Sequence, residues 1–274
     1  RMAKGLRGTS EADRRTLIRR LSYGLTGLAP THEMVESSAA DWGPVRYAEI
    51  VDRFLASPRH GEHWARHWLD VVHYADTHGN DHDYARWNAW PYRDYVIRAF
   101  NEDKPYRQFV EEQLAGDALF PEDPQATVAL GFLAAGPWDE TLMVGVREDT
   151  FDHRMAQVLD RDDMVSTVTS TFLGLTAHCA RCHDHKYDPI PTKDYYSLAG
   201  VFLNTAYHEY PQVPQSVLSK YKKIEDEKRA AEAAKREEEE ELKRKAMMRE
   251  KWLQPYTGGS MKVGGKDWSY GADG

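Results

Sequence analysis

The segment "AHCARCHDHKYDPIPTKDYY", residues 177–196, carries both cysteines of the chain, Cys179 and Cys182, with His183 directly after the second. Cys-x-x-Cys-His is the attachment signature of c-type haem. In that chemistry two thiols on one helical turn each add across a haem vinyl group, and the following histidine becomes the proximal iron ligand. The result is haem c, held covalently instead of by reversible binding. Arg181 and Lys186 are the cations that would compensate the haem propionates, which need partners if partly buried. His185 could share that role or orient the loop, and Pro189 and Pro191 restrict the path by which the chain leaves.

Three other readings compete for the same residues. Cys179, Cys182, His183 and His185 are all zinc-ligand types, but structural zinc draws its ligand pairs from separated segments, and four ligands within seven residues would close a tetrahedron only by distorting the backbone. A thioredoxin-like dithiol wants its pair at a helix N-terminus after a strand, and here the pair follows a predicted helix. A disulfide between residues this close would close too small a loop to stabilise much. On the residues alone these alternatives stay open.

A haem with His183 on one side raises the question of the other. The distal candidates are Met164, Met155, His153, Met143 and His73, with His67, His78 and His82 behind them. Methionine would raise the potential, a second histidine would lower it, and an open position would admit a small molecule. Methionine is also the ordinary gap-filler of a core. His63 and His67 have a chelating i,i+4 spacing, but Trp64 and Trp68 share it, so this reads as an aromatic packing face with histidines at its edge. Asp76, Asn80, Asp81 and Asp83 around Gly79 have the composition of a calcium loop, yet Trp87 stands where the acid of the twelfth position belongs. Asp160, Asp162 and Asp163 are expected to pair with Arg161 or Arg181, or to support a ligand from behind.

The elements that must position these residues read as helices. Ser10 caps a helix from Glu11 to about Leu25, Thr31 caps a second, and "VRYAEIVDRFLAS" forms a third that ends before Pro58. "GEHWARHWLDVVHYAD" is a long helix, "THGNDHDYARWNAWP" a long loop, and helices resume on either side of Pro105. A short buried helix lies in "PEDPQATVALGFLAAGPWDE". "FDHRMAQVLDRDDMVSTVTSTFLGLTAH" is the longest helix of the body and leads straight into the cysteine motif. Thr192 caps a last helix, "KDYYSLAGVFLN". The fold class is mainly α: an irregular multi-helix, bundle-like body over residues 1–214, then a charged helical or weakly coiled-coil arm at 215–253, then a Gly-rich tail or the start of a further segment at 254–274.

Composition bounds the function. Of 274 residues, 41% are hydrophobic and 29% charged, as a globular body requires, and the net charge of −8 argues against a nucleic-acid partner. No apolar run is long enough for a membrane span. The chain begins with Arg, which leads us to expect that a targeting segment or a preceding domain has been removed.

"CARCHDHKYDPIPTKDYYSLAGVF", preceded by "DDMVSTVTSTFLGLT", resembles the planctomycete-type family of cytochrome-associated, multi-domain proteins of unknown function. So do "LTGLAPT", "VDRFLASPRHGEHWARHWLDVVHYADT" and "NAWPYRDYVIRAFNEDKPYRQFVEEQLAGD", in the same order, across about residues 15–204. The resemblance implies an exported or periplasmic protein, of which this chain is a segment, with a separate cytochrome c module before it and a second conserved domain after it. It strengthens the haem reading but implies no particular reaction.

Two functional classes follow as expectations. The first is a c-type haem domain in extracytoplasmic redox chemistry, in electron transfer or as a haem-dependent oxidoreductase. Its partners would be a redox protein or second haem domain and the rest of the same polypeptide. The second is a non-redox module that binds or hydrolyses a polysaccharide-derived substrate, with structural zinc or a disulfide at the cysteines. For hydrolysis, paired acids should face each other across a cleft.

Overall fold

The computed structural model describes residues 5, 10–40, 42–80, 82–205, 207, 209, 212–253, 260–263 and 266–269. They form two compact units, Arg1–Gln215 and Ser216–Gly274. The first is helical: α1 (Arg14–Thr26), α2 (His32–Ala40), α3 (Pro44–Leu55), α4 (Pro58–Val71), α5 (Trp90–Asn101), α6 (Tyr106–Leu119), α7 (Pro124–Ala129), α8 (Gly131–Ala134), α9 (Glu140–Val144), α10 (Phe151–Val168) and α11 (Thr192–Phe202).

The local signals explain most of these boundaries. Pro44, Pro58, Pro91 and Pro124 sit in first turns, where a missing N–H costs nothing. Thr31 Oγ1 accepts the Met34 N–H at the start of α2, as its position predicts. The start of α1 differs from expectation. Asp13, not Ser10, caps it, because its carboxylate accepts both the Thr16 N–H and the Thr16 hydroxyl. The expected helix over 124–134 is two short ones, α7 and α8, joined at Leu130.

The main core gathers Ala65, Tyr92, Tyr95, Phe109, Phe132, Val165 and Tyr195 from α4, α5, α6, α8, α10 and α11. Trp68 lies edge-on to Phe109 and close to Phe132 and Phe172, so one indole ties α4 to three other segments. A smaller core forms where α1 meets α3, around Ile18, Ile50 and Phe54. Inside the main core, Glu112 is fully buried. Its carboxylate accepts from Tyr95 Oη at 2.7 Å, Lys104 Nζ at 2.5 Å and Gln108 Nε2 at 2.7 Å.

The packing of α6 on α7 depends on Gly116. A Cβ there would meet the Ala126 carbonyl oxygen at 1.9 Å, and that oxygen belongs to backbone that cannot swing aside. Gly116→Ala should therefore push α6 from α7 and cost roughly 1–3 kcal/mol or more. The check is the urea midpoint: a value equal to that of the unsubstituted protein would show that the two helices separate freely.

At the end of α4, His73 occupies a position that glycine usually takes. Its φ is 57°, with His73 N–H bonded to Asp70 O and Tyr74 N–H to Leu69 O, the pattern of a Schellman cap. In the second unit, α12 (Gln215–Leu253) is the charged helix, with Lys245 and Glu241 paired at i,i+4. Two short antiparallel strands, β1 (Ser260–Val263) and β2 (Lys266–Ser269), follow, with Ser260 opposite Ser269. The rest of the expected Gly-rich tail lies outside the described residues.

Candidate functional site

α10 does not run straight into the cysteines, as the sequence led us to expect. Beyond Val168 it loosens into a π-helical turn, Thr169–Leu173, and stops at Gly174, whose φ of 65° suits glycine. The cysteines then lie on a 3-10 turn, His178–Arg181, closed by Ala180 N–H to Ala177 O and Cys182 N–H to Cys179 O.

That geometry gives the sequence A-H-C-A-R-C a meaning. Side chains three apart eclipse one another in a 3-10 helix. Ala177 and Ala180 are both buried. His178 and Arg181 both reach Asp162 of α10, at 2.9 and 2.7 Å. Cys179 and Cys182 are both exposed and both free. The turn thus has an apolar face on the core, a His–Arg face on a buried carboxylate and a thiol face toward solvent.

Asp162 is the hub. Its side chain is 7% exposed, its Oδ2 meets both the Arg181 guanidinium and His178 Nδ1, and its Oδ1 accepts the Tyr195 hydroxyl from α11. Tyr195 is correspondingly raised, by burial first and then by the Asp162 carboxylate. Burial pulls the Arg181 guanidinium down, and Asp162 and the Cys182 thiol more than offset this. Tyr196 adds a bond to the Arg181 carbonyl at 3.0 Å.

His183 is exposed, and its Nδ1 lies 2.8 Å from the Asp184 carbonyl. A carbonyl only accepts, so Nδ1 carries a proton, and in the neutral ring the lone pair is on Nε2. His185 instead orients the loop. It is nearly buried, its Nδ1 accepts the Asp188 N–H at 2.9 Å, and its backbone N–H bonds Ile190 O. Lys186 stays exposed with Nζ over the Tyr187 ring. Thr192 does not cap α11 but is its first residue: Pro191 holds the N-cap position without a side-chain bond, and Asp184 Oδ1 takes over the capping role by accepting the Thr192 N–H across the loop.

The distal candidates are scattered. Met164 is 3% exposed in the main core, its sulfur 3.9 Å from Arg161. His153 is buried with Nδ1 on Leu142 O and Nε2 on Gln157, so both ring nitrogens are in use. Met155 is exposed, Met143 lies half-buried on α9, and His73 faces Asp163 with its Nδ1 3.9 Å away. His63 and His67 stack edge to face with Trp64 between their neighbours, as packing residues do. Among the described residues no three of His, Cys, Asp and Glu converge on a point where a metal ion would sit.

The acidic triplet divides between two neighbourhoods, and in both an expected aspartate–arginine pair forms, Asp162 with Arg181 and Asp160 with Arg161. Asp160 pairs with Arg161 and accepts the Tyr207 hydroxyl, and burial holds its pKa above the ordinary value. Asp163, also raised by burial, faces His73 and Gly136. They border the loop after α4, where Thr77 pairs with Ala85 and Arg86 spans to the 134–136 backbone. Arg86, Trp138 and Tyr207 carried no sequence signal of their own, since their partners are backbone carbonyls and distant rings.

No helix of the described residues is long and apolar enough to cross a membrane. No curated protein and no solved structure matches the chain. Residues 2–207 match the profile of a planctomycete-type family described as "PSCyt2: Protein of unknown function (DUF1549)". That match takes in the whole helical stretch from α1 to α11, with the Asp162 hub and the cysteine turn inside it, and the chain belongs to the PSCyt2 (DUF1549) family.

Proposed function

We propose that this chain is a c-type haem domain working in redox chemistry outside the cytoplasm, as part of a larger, exported, cytochrome-associated polypeptide. The observation that carries the proposal is the cysteine turn, which holds two free, exposed thiols on one face, followed by a histidine with an available Nε2. That donor set suits haem c: two thiols for thioether bonds and one neutral imidazole for iron. Bound haem would supply an iron centre that gains and loses one electron. The chain's own part is to attach, orient and balance charge. Cys179 and Cys182 make the covalent links, His183 offers its nitrogen, and Lys186 remains free for a propionate, while Arg181 is engaged by Asp162. His185, tied into its loop by the Asp188 and Ile190 backbone, favours this reading over structural zinc. A redox protein, or a second haem domain of the same polypeptide, is the expected partner.

The test is to produce the protein with a cytochrome c maturation system and record pyridine haemochrome spectra before and after acid–acetone extraction. The expected result is a c-type spectrum that survives extraction, and its complete loss in the Cys179→Ala/Cys182→Ala double variant. A colourless product beside a correctly matured control cytochrome would overturn the proposal.

A further inference from the structure

We infer that Asp162 is the positioning residue of the cysteine turn, fixing the geometry in which both thiols are presented together. This rests on the proposed haem attachment for its purpose, but the geometric claim stands apart from it. Three observations lead there.

First, the four residues of the turn and the Ala177 and Cys182 that flank it fall into pairs with a period of three, and the period sorts them cleanly by environment. An isolated four-residue 3-10 turn has poor hydrogen-bond geometry and little reason to persist. Its own backbone bonds are 2.9 and 3.4 Å, the second a long one. Something outside must hold it.

Second, the alanine face gives little purchase, because methyl groups bury little area. The His–Arg face gives more. His178 and Arg181 precede the two cysteines directly, and both meet the same oxygen, Oδ2 of Asp162. If the turn unwound toward extended chain, successive side chains would point to opposite sides, and residues 178 and 181 could not converge on one atom. The carboxylate therefore selects the conformation that also puts Cys179 beside Cys182.

Third, Asp162 is itself held rigidly. It projects from α10, is almost fully buried, and has its other oxygen fixed by Tyr195 of α11. A buried carboxylate that loses the Arg181 guanidinium and the His178 contact is left uncompensated, so the turn and the acid stabilise each other. Asp163, the next residue, faces His73 and Gly136 instead and supplies an internal control.

The experiment uses the full chain without haem, with reduced thiols, and phenylarsine oxide as the probe. The arsenical condenses with two thiols, forming two As–S bonds and releasing one water, with no change of oxidation state. It therefore reads joint presentation. Asp162→Asn should weaken its affinity by about fivefold or more, and Asp163→Asn should leave it at the unsubstituted value. A circular-dichroism melt verifies that each variant is folded. Should Asp162→Asn fail to fold, the surface-facing pair Arg181→Gln and His178→Asn carries the same test. In protein from the maturation system, the yield of covalent haem should fall in parallel, and the potential of whatever haem is attached should rise as a nearby negative charge is lost.

Unchanged arsenical affinity in folded Asp162→Asn, or in the Arg181/His178 variants, would overturn the inference. An unsubstituted protein that takes no haem, while showing the affinity difference, would overturn only the haem reading and uphold the role of Asp162.

Discussion

Replacing Glu112 with alanine is expected to lower folding stability by about 3–5 kcal/mol, the range for breaking a buried ion pair by removing one partner. Three groups, Tyr95, Lys104 and Gln108, surround this carboxylate, and all three donate to it. Alanine leaves the Lys104 ammonium, itself largely buried, without a counter-charge, and leaves the Tyr95 hydroxyl without an acceptor. It also opens a cavity beside the Tyr95–Phe109 stack. Glu112→Gln should be milder, since an amide oxygen still accepts, but Lys104 still loses its charge partner.

The pH dependence has a definite sign. Burial pushes the Glu112 pKa up, but the hydrogen bonds from Lys104, Tyr95 and Gln108, with the Lys104 charge, leave it below its ordinary value. A group depressed on folding contributes stability that is complete above its unfolded pKa, about 4.5, and is lost as pH falls through the folded value. The unsubstituted protein should therefore lose stability on acidification below pH ~4.5, and Glu112→Gln should lose measurably less over that interval. Urea titrations of both proteins at pH 7 and across the acid range decide the matter. Parallel curves would mean that other carboxylates govern the acid limb.

The helices and their order were legible because their signals are local: proline in first turns, threonine at the α2 cap, and the apolar stripe carrying Trp68. The placing of Cys179 and Cys182 on one turn, with His183 next, was legible for the same reason, being a spacing within five residues. Geometry that depends on partners far along the chain was not. Nothing near Asp162 says that it, and not Asp160 or Asp163, will hold His178 and Arg181. Only the packing of α10 beneath the turn decides that. Likewise Thr192 has the side chain of a cap, yet Asp184 fills the role from eight residues away, because the loop between them folds back through His185 and Ile190. The break at Gly174 could have been read: a glycine after a run of Ser and Thr, whose hydroxyls compete for backbone carbonyls, is a reasonable helix end. The weight given to continuous periodicity hid it.

Arg86→Ala is expected to destabilise the protein by about 3–5 kcal/mol and to release the loop after α4, because hydrogen bonds to a charged group contribute ~1.5–3 kcal/mol each and this guanidinium makes several that are not additive. Its Nη1 donates to the carbonyls of Ala134 and Ala135, at 2.8 and 3.0 Å, and Nη2 to Gly136 at 2.7 Å. These are the carbonyls that the short α8 leaves unpaired at its C-terminal end. One residue thus supplies what a glycine cap would supply elsewhere, from a loop fifty residues away. The fourth bond runs from Nε to His78 Nδ1 at 3.2 Å, so Nδ1 must be the lone-pair nitrogen. Burial first, and the Arg86 charge second, hold the His78 pKa below its ordinary value. Protonation of His78 removes that acceptor, so its contribution to stability is present above pH ~6.5 and is lost as pH falls through its lowered folded pKa. Lysine cannot replace the fork: a single ammonium reaches one or two of these acceptors and has no planar edge to span the rest. Arg86→Lys should therefore lose most of what alanine loses, and in both variants the His78 titration, followed by NMR, should move upward toward that of a free imidazole. A lysine variant of unchanged stability, with His78 still depressed, would show that charge alone, without the four-way geometry, holds the loop against α8.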